Sequence, residues 1–396
     1  MSLLRKLLLG KGDLITDAYG VQKVSLPRSL FHSTFTFDIP TSWFIYENDI
    51  QVKNDVSTVI TSVNGEAKLV TTAALPSNNL ESRQSPRYQP NRGHLFSTAL
   101  RCPLKTANGI REWGLGTAEN RIIFRLKSDG LLYAVRRSGD VELNEELIDT
   151  SKLGGFDVEK GNIYDIQFKW RGSGDYFFYI GSLTTGESKL VHTFKLLGTQ
   201  NTVTLENPAM PIDFHVIRTT EDVEMFIGCA DVTSENGGQL INKYTSVLSE
   251  AVVTGTDTPV SVIKVPLQIA GQTNTRTAIG VRISLINSKK ATFRICTTRD
   301  PTNIIGATYK PLGEGSFLES DSTDMDPTAV RATSIILANL IFVASVTVQA
   351  LVRAEVETPG NAEIVLTAVR GDFIVISCTS SGAGSADCVL ELGEEV

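Results

Sequence analysis

Residues able to do chemistry are scattered through this 396-residue chain rather than gathered in motifs. His32, His94, His192 and His215 stand in no HExxH or other close metal-ligand spacing, so each reads as a surface or core histidine. Cys102, Cys229, Cys296, Cys378 and Cys388 contain no CxxC pair, which removes the usual zinc spacing. Gly172-Ser173-Gly174 is too short for a nucleophile elbow. Gly114-Leu115-Gly116 lacks the third glycine and the βαβ setting of a dinucleotide site, and no phosphate-binding loop sequence occurs. Asp321, Asp324 and Asp326 do not follow the order of a calcium loop and read as a solvated loop ended by Pro327. No catalytic residue, cofactor or metal is expected, and the chain reads as non-enzymatic. One chemistry stays open: a glycosidase brings its two carboxylates together in space, not in sequence.

Aromatic residues offer a second kind of site, because an exposed ring can stack on a sugar. The candidates are Trp43, Trp113 and Trp170. Trp170 falls on the apolar face of its strand and reads as core. Trp113, among glycines in NGIREWGLG, is the candidate ligand contact. Arg83, Arg87, Arg92 and Arg101, with Tyr88 and Phe96 between them, form a basic group. It reads as structural, with Arg87 or Arg92 pairing with carboxylates across a subunit contact.

Charge narrows the partners. The net charge of −7 argues against a nucleic-acid wrapper, which needs a basic stripe. No apolar run approaches the length of about 18 residues that a membrane span needs. The opening MSLLRKLLLG is interrupted by Arg5 and Lys6 and reads as neither a span nor a secretory signal. Leu3, Leu4, Leu7 and Leu8 would share one face of a short helix. That helix either caps its own domain or docks on a neighbouring subunit. An odd cysteine count without a signal suggests free thiols, with a Cys378–Cys388 bridge the less favoured alternative.

The elements that must position any site alternate at period two, the mark of half-buried strands. Tyr164, Ile166, Phe168 and Trp170 share one face, and Asp165, Gln167, Lys169 and Arg171 the other. Residues 175–180 return after the Gly172–Gly174 turn. A second hairpin spans 121–137 around Ser128-Asp129-Gly130, with Arg121, Arg125 and Lys127 alternating against Ile122, Phe124 and Leu126. Residues 344–356 alternate small and β-branched side chains, and residues 373–379 and 387–392 are expected to form a final hairpin. Weak helical spacing marks 142–151 and 237–248. The expected fold is mainly β: two antiparallel β-sandwiches of jelly-roll or concanavalin-like type, with a short N-terminal helix or arm. The expected division is an arm at 1–38, a first sandwich at 39–232, a connector at 233–256 and a second sandwich at 257–396.

Several segments resemble, in order, a family of tailed-bacteriophage proteins encoded among virion genes. Thr16-Asp17-Ala18-Tyr19-Gly20-Val21-Gln22-Lys23-Val24-Ser25, then Leu30-Phe31-His32-Ser33, is similar to the family's DAFGR-x-RVS…LFD opening. Arg87–Gly93 resembles its Y-Q-P-G segment, with Asn91 in place of glycine. Ile163–Gly174 resembles its aromatic strand ending in a Gly-x-Gly turn. Asn207–Ile212 and Asp257–Val260 resemble its N-x-x-L-P segment and the start of its C-terminal domain. The resemblance implies a structural virion component, a capsid decoration, head fibre, tail or baseplate part, anchored through its arm to other virion proteins. A homo-oligomer is expected, with a trimer favoured. The rival readings are a receptor- or glycan-binding fibre that meets a host surface glycan and, behind it, a capsule depolymerase.

Overall fold

In the computed structural model the N-terminal part is described at residues 27–52, 57–88, 92–169, 174–181, 188–198 and 203–235. The C-terminal part is described at 243–253, 258–269, 271–287, 291–298, 310–311, 319–321, 335–342, 352–355, 367–368, 371–381 and 384–395. The chain divides into two compact units, 1–238 and 239–396. Among the described residues it is nearly all-β, with a single 3-10 turn at Ser151–Leu153.

The first unit begins with β1 (Pro27–Thr34), β2 (Trp43–Glu47), β3 (Ile50–Gln51), β4 (Ile60–Val63) and β5 (Glu66–Val70). It continues with β6 (Ser77–Ser82), β7 (His94–Arg101), β8 (Gly109–Gly116), β9 (Arg121–Leu126), β10 (Leu132–Ser138) and β11 (Val141–Leu147). β12 (Asn162–Phe168), β13 (Tyr176–Gly181), β14 (Ser188–Phe194), β15 (Ile212–Arg218) and β16 (Glu224–Glu235) complete it. One sheet runs β14-β13-β12-β7-β16-β5-β4, with β1 also paired to β16. The other runs β11-β10-β9-β8-β15-β6-β2-β3.

Period-two burial makes these strands. Along β12, Asn162, Tyr164, Ile166 and Phe168 are buried while the residues between them are not. Turn chemistry fixes the register: Gly139 and Asp140 have φ of 58° and 64°, the left-handed pair of a two-residue hairpin between β10 and β11. The core is an aromatic layer between the two sheets. Trp43 of β2 packs within 5.4–5.7 Å of the rings of Phe35, Phe31 and Phe214, and its Nε1–H donates to Ser33 Oγ at 2.8 Å. Trp113 of β8 stacks on Phe124 at 5.8 Å and meets Tyr164 of the facing sheet edge-on at 4.9 Å. Such pairs add about 0.5–1.5 kcal/mol each beyond the area they bury.

In the second unit one sheet contains Lys243–Val253, Gly384–Glu395, Thr277–Asn287 and Val352–Glu355 in that order. The other is built on Thr258–Lys264, Phe373–Ser380, Ala291–Thr298 and Ile335–Phe342.

Four details depart from the sequence reading. Residues 27–34 of the supposed arm form β1, because Phe31 and Ser33 point inward between exposed His32 and Thr34. The supposed connector contains the strand Lys243–Val253 in place of helix, and residues 142–147 of the weak helical segment 142–151 lie in β11. The last two strands are not a hairpin: Phe373–Ser380 pairs with Thr258–Lys264 and Ala291–Thr298, Gly384–Glu395 with Lys243–Val253 and Thr277–Asn287. Alternation shows that a strand is half-buried, not which strand it pairs with. Cys378 is therefore in a different sheet from Cys388, and its side chain is buried, as is that of Cys102. Leu3, Leu4, Leu7, Leu8 and Trp170 lie outside the described residues, as does all of 344–356 except 352–355.

The packing predicts a contrast. Trp113→Ala should cost about 3–5 kcal/mol of stability. Phe37→Ala, at a side chain 96% exposed, should change it by no more than about 0.5 kcal/mol. Urea unfolding followed by fluorescence measures both, and equal midpoints for the two variants would contradict the core described above.

Candidate functional site

The face of the β11–β3 sheet turned away from the core carries a polar row. In β8, Trp113 and Leu115 enter the core, so Glu112, Gly114 and Gly116 point the other way. Register then fixes the neighbours. Glu112 lies opposite Arg125 of β9 and His215 of β15. His215 lies opposite Asn79 of β6, and Asn79 opposite Tyr46 of β2. Two residues along, Asp213 lies opposite Gly114. Five adjacent strands thus bring an acid, an arginine, an imidazole, an amide and a phenol into one line.

The centre of this face is an ion network out of water. The side chains of Glu112 and Asp213 are only 3% and 2% exposed. Arg121 Nη1 donates to Glu112 Oε2 at 2.8 Å, and its Nη2 lies 3.6 Å from Asp213 Oδ2. Arg125 Nε donates to Glu112 Oε1 at 2.6 Å, and its two Nη groups reach Glu142 and Glu145, each at 2.9 Å. Lys127 closes the chain of pairs at 2.6 Å from Glu145. Burial alone would raise the Glu112 carboxyl, but the nearby His215 imidazole and the Arg121 and Arg125 guanidiniums hold it well below the ordinary carboxylate range. Glu112 is therefore a fixed negative charge and hydrogen-bond acceptor near neutral pH, not a proton donor. Arg125 is pushed the other way: burial would lower it, but Glu112, Glu142 and Glu145 raise it.

Glycine makes room for this network. A Cβ on Gly116 would sit 2.6 Å from Arg121 Cγ, so the arginine stem crosses the strand where no side chain stands. A Cβ on Gly114 would run into the Ile122 carbonyl oxygen. Gly116, weak as part of a cofactor motif, is what lets Arg121 lie between two carboxylates.

Among the buried polar atoms without a hydrogen bond are two from Asp213 and His215. Asp213 Oδ1 accepts from Asn79 Nδ2 at 3.1 Å, but its Oδ2 has no hydrogen-bond partner. The Ser77 hydroxyl donates to Asp49 Oδ1 at 3.1 Å and lies 2.9 Å from His215 Nε2. His215 Nδ1 has no hydrogen-bond partner, with Glu112 Oε2 3.8 Å away. An unsatisfied buried polar atom costs about 1–3 kcal/mol and calls for a reason.

The sequence candidates lie elsewhere. Trp113 is fully buried in the core, with glycines that accommodate Arg121 rather than expose the indole, so it does not contact a surface ligand. Arg83 is buried, donating from Nε to the Trp43 carbonyl at 2.7 Å, and Arg101 is paired with Glu66 within the unit. His94 is stacked against Tyr88 and Phe168, and burial lowers its pKa to about 4. His215, read as structural, stands in the polar row. Glu112, Asp213 and Asn79 were missed. The available signal was an acid beside the core tryptophan in GIREWGLG and a His and an Asp inside the apolar strand IDFHVIR.

No family model matches the chain, and no curated protein matches it. Solved structures resemble its sandwich. The catalytic domain of an endo-1,3-β-glucanase (laminarinase) from Thermotoga petrophila is 12% identical, with a TM-score of 0.35, over 54% of this chain and all (100%) of that one. A glycosyl hydrolase family protein from Mycobacterium fortuitum is 13% identical, with a TM-score of 0.38, over 52% and 99%. The CBM2 module of the evolved Dit of Lactobacillus casei BL23 phage J-1 is 11% identical, with a TM-score of 0.35, over 54% and 99%. At these identities the likeness is one of jelly-roll and sandwich fold. It corrects the expectation of a non-enzymatic, purely structural protein. Glycosyl hydrolases, β-glucanases and polysaccharide lyases are among the neighbours.

Because the Glu112 carboxyl is held below its unfolded value, its contribution to stability is present above the ordinary carboxylate range and is lost as pH falls through that range and below it. Glu112→Gln should lower stability at neutral pH by about 3–5 kcal/mol, since it strands two arginines. It should also flatten the acid limb of stability against pH. Parallel acid limbs for the variant and the parent chain, measured by urea unfolding at stepped pH, would refute this role.

Proposed function

We propose that the first sandwich binds a glycan on the outer face of its β11–β3 sheet, across Asp213, Asn79 and His215. The observation that carries this reading is Asp213 Oδ2, a buried acceptor without a hydrogen bond in the middle of a face already lined by amide, imidazole and guanidinium groups. Sugar hydroxyls satisfy such a face because each both donates and accepts. The ion network beneath supplies rigidity. Arg121 and Arg125 are each fixed by two or more carboxylates, so little side-chain entropy remains to be lost on binding. Tyr46, half-buried at one end of the row, is the aromatic surface available for stacking.

The ordered resemblance to tailed-phage virion proteins supports a setting for this activity: a phage particle, with the glycan on the surface of the bacterial host. Repetition of one modest site around an oligomer would raise its avidity without any new contact.

The test is a screen of the intact chain against an oligosaccharide panel, followed by calorimetry. Binding is expected, with Tyr46→Ala and Asp213→Ala each weakening it by about tenfold or more, at 1.4 kcal/mol per factor of ten. The parent chain failing to bind any glycan would overturn the proposal, as would full affinity in both variants.

A further inference from the structure

We infer that this face selects neutral, hydroxyl-rich sugars and rejects anionic ones such as uronates or sulfated sugars, an inference that rests on the glycan-binding reading above. An anionic sugar needs an arginine or lysine free to grip it, ideally with two parallel hydrogen bonds. The cations at the centre of this face are already engaged. Arg121 is held between Glu112 and Asp213, Arg125 among Glu112, Glu142 and Glu145, and Lys127 by Glu145. With Arg137 opposite Arg121 and Glu81 opposite Asp213, four cations face five carboxylates, and the local field repels an anion. Arg137, at the β10 edge of the group, donates to the Ala118 carbonyl at 2.9 Å.

The remaining valence has the same sign. Asp213 Oδ2 is an acceptor that makes no hydrogen bond, with Arg121 Nη2 3.6 Å away. A ligand must bring a donor there. A sugar hydroxyl brings one without charge, whereas a carboxylate or sulfate would bring a second acceptor against a buried anion. The side chain is 2% exposed, so water screens that repulsion poorly. The selectivity thus comes from arginines being occupied, although a count of basic residues on this sheet would suggest the opposite preference.

The experiment titrates the intact chain with two probes at low and at physiological salt: neutral oligomers of glucose, galactose or N-acetylglucosamine, and oligomers of uronic acid. Neutral oligomers should bind at least about tenfold more tightly than uronic acid oligomers, with affinity nearly flat in salt. Asp213→Asn, which turns the open acceptor into an amide, should weaken neutral binding by about tenfold. The double variant Glu142→Gln/Glu145→Gln, on the exposed edge strand β11, should free Arg125 and raise uronate affinity by about tenfold. Tighter binding of uronate oligomers by the parent chain would overturn the selectivity and leave glycan binding standing. No binding of any probe would overturn both. An unchanged uronate affinity in the double variant would overturn the argument from engaged arginines.

Discussion

A carboxylate out of water has to be matched, and the arrangement around Glu112 follows from that constraint. Its two oxygens take one arginine each, Arg121 and Arg125, from the neighbouring strand β9. Those arginines stand four residues apart, so in a strand they share a face, and both can reach one acid on the next strand. The same alternation sends Ile122 and Phe124 into the core. The β8–β9 register, set where Glu112 meets Arg125, is thus fixed from both sides, since a slip by one residue would bury an arginine and expose Phe124. Core and site are two faces of one pairing.

That pairing also explains the glycines. A row of side chains on the outer face of β8 would stand where the Arg121 stem must pass. Gly116 leaves the passage open, and Gly114 allows the β9 backbone to come close. Glycine inside a strand ordinarily weakens it. Here the loss is offset by two charge-assisted contacts that the missing Cβ atoms make geometrically accessible.

The legible part of this molecule was its periodicity. Arg121, Arg125 and Lys127 alternating with Ile122, Phe124 and Leu126 show one polar and one apolar face with no structure in hand, and β9 and β10 lie where that pattern places them. Partnership was not legible. Nothing in the order of residues states that β8 pairs with β15, about a hundred positions away, so the meeting of Glu112 with His215 and of Asp213 with Gly114 could not be read. The misplacement of Trp113 has the same origin. Glycines beside a tryptophan suggested an exposed ring, but they serve the opposite face of the strand. The last two strands repeat the lesson, because proximity in sequence suggested a hairpin and the pairing put them in different sheets.

Energetics give the final reason to regard the outer face as a site. Replacing a buried ion pair with well-packed apolar residues is often neutral or stabilising by about 1–4 kcal/mol. A sandwich selected for stability alone would have little use for Glu112, Arg121, Arg125 and Asp213 on a face where Phe44, Ile123 and Val135 already show that apolar side chains can be buried. It would have still less use for an Asp213 oxygen left without a hydrogen bond. A pre-organised polar surface carries such costs in the free protein and recovers them when a partner supplies the missing contact. The polar row therefore fits a surface shaped for a ligand better than one shaped for packing.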